Sequence, residues 1–439
     1  MTAKRILVLF AKDWDRVELD HPRYRSQYHF DYEGFDLFRF PDNARLLTFD
    51  VRRYVDRLAR KYRGLIDGVI SNNEHFGTLI AAALAQRLGL PGANPALIIA
   101  TQHKYYSRCL QQRIVPEATP RFEALPYVDG IAHPPELGFP CFVKPVKATY
   151  SILARRIDSF DQLRALMDFS PLERLILRKL VQPFDDLMPE YTPFDIGARA
   201  MIAEEILEGV QVNIDGYVHN GNVTVLGIVD EVMYPGTQAF MRFEYPSQLK
   251  RDVQQRMHDL TVRLLTGIDY SHGFFNVELM FDPASDAIRV VEINPRMASQ
   301  ITNLYRRVDG CDPYGMLLDL AVGDTPRMAR STGEFQTAAS FIFRRFDGRA
   351  PGRVPSAEQI AAVHRRYPDA RLMLYLKRGT GLAREMKWLG SHRYAVLNLG
   401  GRDAEDLQRR YETIRSELAL DAGVAPMSAG VMSASGASN

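Results

Sequence analysis

The chain has 439 residues, 46% of them hydrophobic, and its 55 Lys plus Arg nearly cancel 53 Asp plus Glu to leave a net charge of +2. That length can bury more than one core, so two to four domains are expected, and the balanced charge gives no footing for nucleic acid or an anionic membrane surface. Three cysteines, Cys109, Cys141 and Cys311, are too few and too widely spaced for a disulfide framework or a zinc knuckle.

From the N-terminus, Arg5 to Phe10 reads as a strand, but Lys12, Asp13, Asp15 and Arg16 follow at once, which is wrong for a signal-peptide core. No stretch reaches the ~18–20 apolar residues of a membrane helix. A cytoplasmic protein acting on small molecules is the expectation. A second strand, Gly68 to Ser71, leads into a helical stretch from about His75 to Leu88, so an open α/β layer is expected. A further helical stretch runs through Lys104 and Arg108, and Pro116, Pro120 and Pro126 then mark a domain boundary.

Beyond Phe139 strands dominate: Cys141 to Val143, Ala200 to Leu207, Val210 to Val218 and Val223 to Val232, the last two joined across the hairpin signal Asn220-Gly221. A helix over about Pro246 to Thr266 precedes strands Phe274 to Phe281 and Ile288 to Ile293. The expected division is an α/β domain over 1–115, a core over 116–330 and a small α+β domain over 331–420. Within the core, a lid subdomain would occupy about 116–205 and a central antiparallel sheet about 206–330. The last unit carries strands Ala338 to Phe343 and Tyr394 to Leu399 and a charged helix over Ala404 to Leu418. The Ala, Gly, Ser and Met tail over 421–439 has too little to bury and is expected to be disordered.

The chemistry concentrates between Phe275 and Arg296. Period-two alternation puts Asn276 and Glu278 on one face of the first strand, and Glu292 and Asn294 on one face of the second. If Asn276 pairs with Asn294, Glu278 lies opposite Glu292, and like charges directly opposed on a sheet are destabilising. A cation removes that cost. Two carboxylates and an amide oxygen are hard ligands suited to Mg²⁺, with Mn²⁺ as its substitute, the shell being completed by water and phosphate. A lone pair of Glu residues is more often a solvated polar face, but the third ligand and the following Pro295-Arg296 reverse that reading. Arg296 can hold phosphate or carboxylate oxygens bidentately.

Lys144 ends an apolar strand on the face of Phe142, a placement that points to a bound anion. Lys104, beside His103 and Arg108, is a weaker signal of the same kind. Glu204 and Glu205 lie in an apolar strand, and Gly209 after them lets the chain bend closely around a flat group such as adenine. Glu74 and His75 are candidates for a base, although a helix N-terminal region explains them more simply.

The motifs PCFVKP (140–145), EEILEGVQVNID (204–215), FFNVE (274–278) and EINPR (292–296), preceded by HKYYSR (103–108), together resemble the ATP-grasp superfamily. Within it they resemble the carboxylate-amine ligases of the L-amino-acid ligase type. The resemblance implies an ATP-grasp fold with an N-terminal open α/β domain, a two-part ATP-binding core and a small C-terminal α+β domain. It also implies an enzyme that joins a small-molecule carboxylate to an amine through an acyl phosphate, with a homodimer as a compatible assembly.

By position, the resemblance implies that Lys104 and Lys144 bind ATP phosphates and that Glu204, with the backbone at Glu205 and Leu207, holds adenine. Gln211 stands where relatives often carry a ribose-binding Glu. Glu278, Glu292 and Asn294 would hold magnesium, and Arg296 would steady the transferring phosphoryl group. The chain departs from the family in its phosphate loop, Val146 to Leu153, which has no glycine and offers Lys147, Thr149 and Ser151. After Arg296 it carries Met297, Ala298, Ser299 and Gln300 where glycines are common. Alternatives are a ligase acting on a peptide, a biotin-carboxylase-like enzyme and a non-catalytic ATP-binding module. A dinucleotide-binding oxidoreductase is disfavoured because Ala11 to Asp15 replaces the G-x-G-x-x-G turn after the first strand.

Overall fold

A computed structural model describes residues 3–37, 41–125, 133–147, 153–328 and 333–420. The expected tail disorder and the phosphate-loop residues Thr149 and Ser151 lie outside the described residues. Contacts divide the chain into two compact units, 1–230 with 245–334, and 231–244 with 335–439.

The first unit opens with a parallel sheet in the order β2-β1-β3, made of Lys4–Leu9 (β1), Tyr28–Glu33 (β2) and Gly68–Ile70 (β3). Helices Val51–Tyr62 and Gly77–Leu88 cover it and bury Val55, Leu58, Leu79, Ile80 and Leu84 against Leu7 and Leu9. Each such side chain contributes roughly 1.5–3 kcal/mol when fully buried. The same core takes Phe184, Leu187 and Met188 from the long helix Pro171–Tyr191, which is thereby anchored to the α/β layer. The expected single helical stretch before Pro116 is two helices, Pro95–Gln102 and Lys104–Ile114, divided at His103, whose backbone is extended (φ −86°, ψ 101°).

Four antiparallel strands follow: Phe122–Leu125 (β4), Cys141–Pro145 (β5), Arg155–Ile157 (β6) and Met201–Glu204 (β7), in the order β4-β7-β5-β6. The expected strand over Ala200 to Leu207 is shorter, and Glu205 and Leu207 fall in the loop after β7. Central strands Val210–His219 (β8), Asn222–Met233 (β9), His272–Asp282 (β11) and Ala287–Asn294 (β12) lie in the order β12-β11-β8-β9. Asn220 and Gly221 turn the β8–β9 hairpin with φ of +51° and +80°, as a two-residue turn requires.

Alternation sends Val277, Leu279 and Ile293 onto helix Arg251–Gly267, and a register shift after the Glu278–Glu292 pair turns Val290, in place of Val291, to the same side; they meet Met257, Leu260, Leu264 and Leu265. The opposite, polar face of the same strands is the site. Gly209 has φ +127°, and a Cβ there would meet Phe281 O at 2.1 Å. A side chain at this position is therefore excluded by close backbone packing against β11.

The second unit contains Phe240–Tyr245 (β10), Thr337–Arg345 (β13), Arg371–Leu374 (β14) and His392–Gly401 (β15), ordered β10-β13-β15-β14, with Phe341, Phe343, Leu397 and Leu399 packed on Ile414 and Leu418. Among the described residues no helix is long and apolar enough to cross a membrane.

Candidate active site

The β11–β12 hairpin has the register read from alternation: Asn276 pairs with Asn294 and Glu278 with Glu292. The two carboxylates are directly opposed. Lys104 Nζ lies 2.9 Å from Glu292 Oε1. Gln211 and Asn294 each donate an amide N–H to Glu278 at 3.2 Å. Burial first, and then the Glu292 charge, push the Glu278 carboxyl above the usual range. Burial also pushes on Glu292, but Lys104 and Lys144 outweigh it and hold that group low. Glu292 keeps 26% of its side-chain surface open.

Among the described residues no group of three His, Cys, Asp or Glu forms a metal cluster. Glu278 and Glu292, directly opposed, with the Asn294 amide beside them, are hard oxygen donors of the kind a cation such as Mg²⁺ takes together with water and phosphate. Gln211, the residue at the position implied for ribose binding, lies on this face and donates to Glu278.

Glu204, at the end of β7, is buried between two cations. Lys144 Nζ lies 2.8 Å from Glu204 Oε2, while Arg108 donates to Oε1 at 2.8 Å and to Oε2 at 3.2 Å. Burial alone would raise this carboxyl, but Arg108 and Lys144 pull it down to about 2. Burial likewise lowers Lys144, partly offset by Glu204. Glu205 pairs with Arg121 at 3.1 Å, and Leu207 lies in the adjoining loop. Both Glu204 oxygens are engaged by these cations.

Arg108 was not singled out by sequence reasoning. It is 2% exposed and also donates to Val290 O at 2.7 Å and Val291 O at 2.9 Å, tying helix Lys104–Ile114 to β7 and β12. The available signal was its i,i+4 spacing from Lys104, which puts both on one helix face.

Arg296 Nη2 lies 2.5 Å from Glu74 Oε2, and Lys12 Nζ 3.5 Å from Glu74 Oε1. Against its burial, Arg296 and Lys12 hold Glu74 well below the usual carboxylate range, as counter-ions to it. Burial and then Lys147 push His75 down to about 3. The helix-start explanation fits this loop: Asn73 Oδ1 accepts the backbone N–H of His75 at 3.1 Å and of Gly77 at 3.2 Å. Lys147 donates to Glu74 O at 2.7 Å and to Gln102 Oε1 at 3.1 Å and lies 4.7 Å from the Phe184 ring centroid. It is 4% exposed with no carboxylate partner among the described residues. The lysine that departs from the family's glycine-rich loop is thus buried beside the cluster.

Residues 137–303 match the ATP-grasp domain family. The carbamoyl phosphate synthase large chain of Micrococcus luteus is 23% identical over 265 residues, and carnosine synthase 1 of Gallus gallus is 27% identical over 265 residues. These matches take in 58% and 56% of this chain but only 22% and 26% of those two proteins. The crystal structure of an L-amino acid ligase from Bacillus licheniformis superposes with a TM-score of 0.69 at 16% identity, covering 97% of this chain and 99% of that one.

Proposed function

We propose that this chain, whose residues 137–303 match the ATP-grasp domain family and whose fold superposes on an L-amino acid ligase, is an ATP-dependent carboxylate–amine ligase working through an acyl phosphate. The observation that carries the proposal is the Glu278–Glu292 pair with Asn294, bordered by Lys104, Lys144 and Arg296. A face of opposed carboxylates edged by cations suits a magnesium–polyphosphate complex and little else.

In this reading Glu278, Glu292 and Asn294 hold the cation, which neutralises phosphate charge when bound. Lys104 leaves Glu292 for a phosphate, and Lys144 binds a second phosphate while Arg108 keeps Glu204 in place. The main chain at Glu205 and Leu207 lines the adenine. A carboxylate oxygen of the acid attacks the terminal phosphorus, the bond to the bridging oxygen breaks, and ADP leaves. The amine nitrogen then attacks the acyl carbon, a proton leaves the nitrogen, the bond from carbon to phosphate oxygen breaks, and phosphate departs. Arg296 stabilises charge on the acyl phosphate and on the tetrahedral oxyanion. Turnover requires Arg296 to exchange Glu74 for the phosphoryl group, which the bidentate geometry of guanidinium permits. No protein nucleophile is needed. The three-part division at 115 and 330, a cytoplasmic location and a homodimer belong to the same proposal.

The test is ADP and phosphate release from Mg·ATP across pairs of small carboxylic acids and amines, with the product read by mass spectrometry. Release that needs both partners and yields their amide supports the reading. Nucleotide binding without release for any pair, bicarbonate and peptides included, refutes it.

A further inference from the structure

The polar face of the central strands extends beyond the Glu278–Glu292 pair. Alternation along β8 adds Gln211, Asn213 and Asp215 to it, and the register sets Asp215, Asn276 and Asn294 in one row across β8, β11 and β12. All three are buried, at 4%, 2% and 9% exposure. Asn276 Nδ2 donates to Asp215 Oδ1 at 3.1 Å and to Asn213 Oδ1 at 2.7 Å. Asn294 Nδ2 donates to Asn276 Oδ1 and to Glu278 Oε1, each at 3.2 Å. Tyr305, from helix Thr302–Asp309, donates its hydroxyl to Asp215 Oδ2 at 2.6 Å. Among the described residues, then, the donors to this buried carboxylate are a phenol and an amide, both neutral. Burying a carboxylate on neutral donors is costly, and the proposed reaction brings no reacting atom to it.

We infer that Asp215 is a positioning residue for the cation site, acting through Asn276 to fix which end of the Asn294 amide faces the cation. The inference rests on the reading of Glu278, Glu292 and Asn294 as metal ligands and adds a residue to that reading. An Asn side chain has two ends of nearly the same shape, one donating and one accepting, so packing alone selects neither. A carboxylate removes the choice. Burial raises the Asp215 carboxyl to about 6, while Tyr305, Asn276 and the Arg296 charge pull it down, so above neutral pH it is ionised and can only accept. Asn276 must then turn its Nδ2 to Asp215, which leaves its Oδ1 toward Asn294. That oxygen draws the Asn294 Nδ2, and Glu278, a second acceptor, draws it too. The Asn294 oxygen, the end able to ligate a hard cation, is thereby turned away from both. With Asn in place of Asp215 the row can invert. Tyr305 holds the oxygen of the new amide, whose N–H end falls on Asn276; Asn276 then turns its own N–H to Asn294, and the donor end of Asn294 is left facing the cation.

The experiment measures Mn²⁺ binding to the nucleotide-free full chain at about pH 7.5 from the electron paramagnetic resonance signal of the free ion. Glu292→Gln defines the binding that belongs to this site. Partners that orient a metal ligand are worth about 10–100-fold in affinity, so Asp215→Asn, which preserves shape, should bind Mn²⁺ at least about tenfold more weakly than the parent. In an Asn294→Ala background the same substitution should change affinity less than about twofold, because the side chain through which it acts is gone. A general loss of packing would not vanish in that background. The exchange of Asp215→Asn with Asn276→Asp returns an acceptor-only group to the neighbour of Asn294 and should restore affinity to within about threefold of the parent. Affinity unchanged in Asp215→Asn, or lowered equally with and without the Asn294 side chain, overturns the inference and leaves the ligase reading intact. If Asp215→Asn does not fold, the exchange decides, and a deficit of about tenfold there overturns the inference. Mn²⁺ binding that survives Glu292→Gln in full removes the cation site, and the inference falls with the metal reading.

Discussion

Glu292→Gln separates the proposed metal role from an ordinary packing role, because its effects on stability and on binding differ. In the free protein Glu292 is attracted by Lys104 at 2.9 Å and repelled by Glu278 directly opposite. Partly exposed ion pairs are worth about 0–1 kcal/mol, and an opposed like-charge pair on a sheet costs up to ~1 kcal/mol. The two terms largely offset. The ligand-free variant should therefore melt within a few degrees of the parent, the neutral amide still donating or accepting where the carboxylate stood. Binding should behave otherwise. A ligand at 100 times its dissociation constant stabilises the folded state by about 2.7 kcal/mol. Losing one of two carboxylate ligands should remove most of that gain for Mg·ADP. Differential scanning fluorimetry with and without Mg·ADP reads both quantities, and turnover should fall at least 1000-fold. A variant that keeps the full Mg·ADP shift, or that turns over at an unchanged rate, would falsify the metal assignment.

Arg108→Met leaves Glu204 with Lys144 alone and strands two carbonyls of β12, and breaking a buried pair costs about 3–5 kcal/mol; urea denaturation should show a loss of that size. Arg296→Lys keeps the charge but not the fork, so kcat should fall about 100-fold while the Kd for Mg·ATP changes little; a large loss of binding with kcat intact would assign Arg296 to ground-state binding only. Burial and then Lys104 lower the Lys147 ammonium to about 7, against Glu292 and Glu74, with Arg296 adding to the lowering; His75 and His103 lie within reach of the same charge. The unfolded chain keeps this proton up to about 10.5, so the penalty for burying the charge is fully present below pH 7 and fades between pH 7 and 10. It reaches on the order of 5 kcal/mol. Stability should accordingly rise with pH over that window in the parent and less steeply in Lys147→Met, measured by urea midpoints. For Glu204, lowered to about 2 by Arg108 and Lys144 against its burial, the stabilisation is present above about pH 4.5 and is lost as pH falls toward 2; Glu204→Gln should flatten that acid limb, and an unchanged limb would show that the ion pair contributes nothing.

Much of the candidate site is local in sequence and was readable there. The period of two along Phe274 to Phe281 and Ile288 to Ile293 assigns Asn276, Glu278, Glu292 and Asn294 to one face and buries Val277 and Ile293 on the other, while the register that opposes Glu278 to Glu292 was a condition that the folded hairpin meets. Lys144 was legible as a lysine in an apolar strand, and it lies buried in β5. The partners of these groups were not readable. Glu74 meets Arg296, Lys104 meets Glu292, and Arg108 meets Glu204 from 96 positions away, because helix packing and strand order bring them together and no local period encodes those contacts. The sequence alone determined which residues could carry charge and on which face of a strand each lies. Only the tertiary structure decided which charges neutralise one another, that Gln211 turns to Glu278, and that Asp215 faces the Asn276 amide. Electrostatic partnership depends on distances of a few ångström across separate elements, and the chain's folding in space sets those distances.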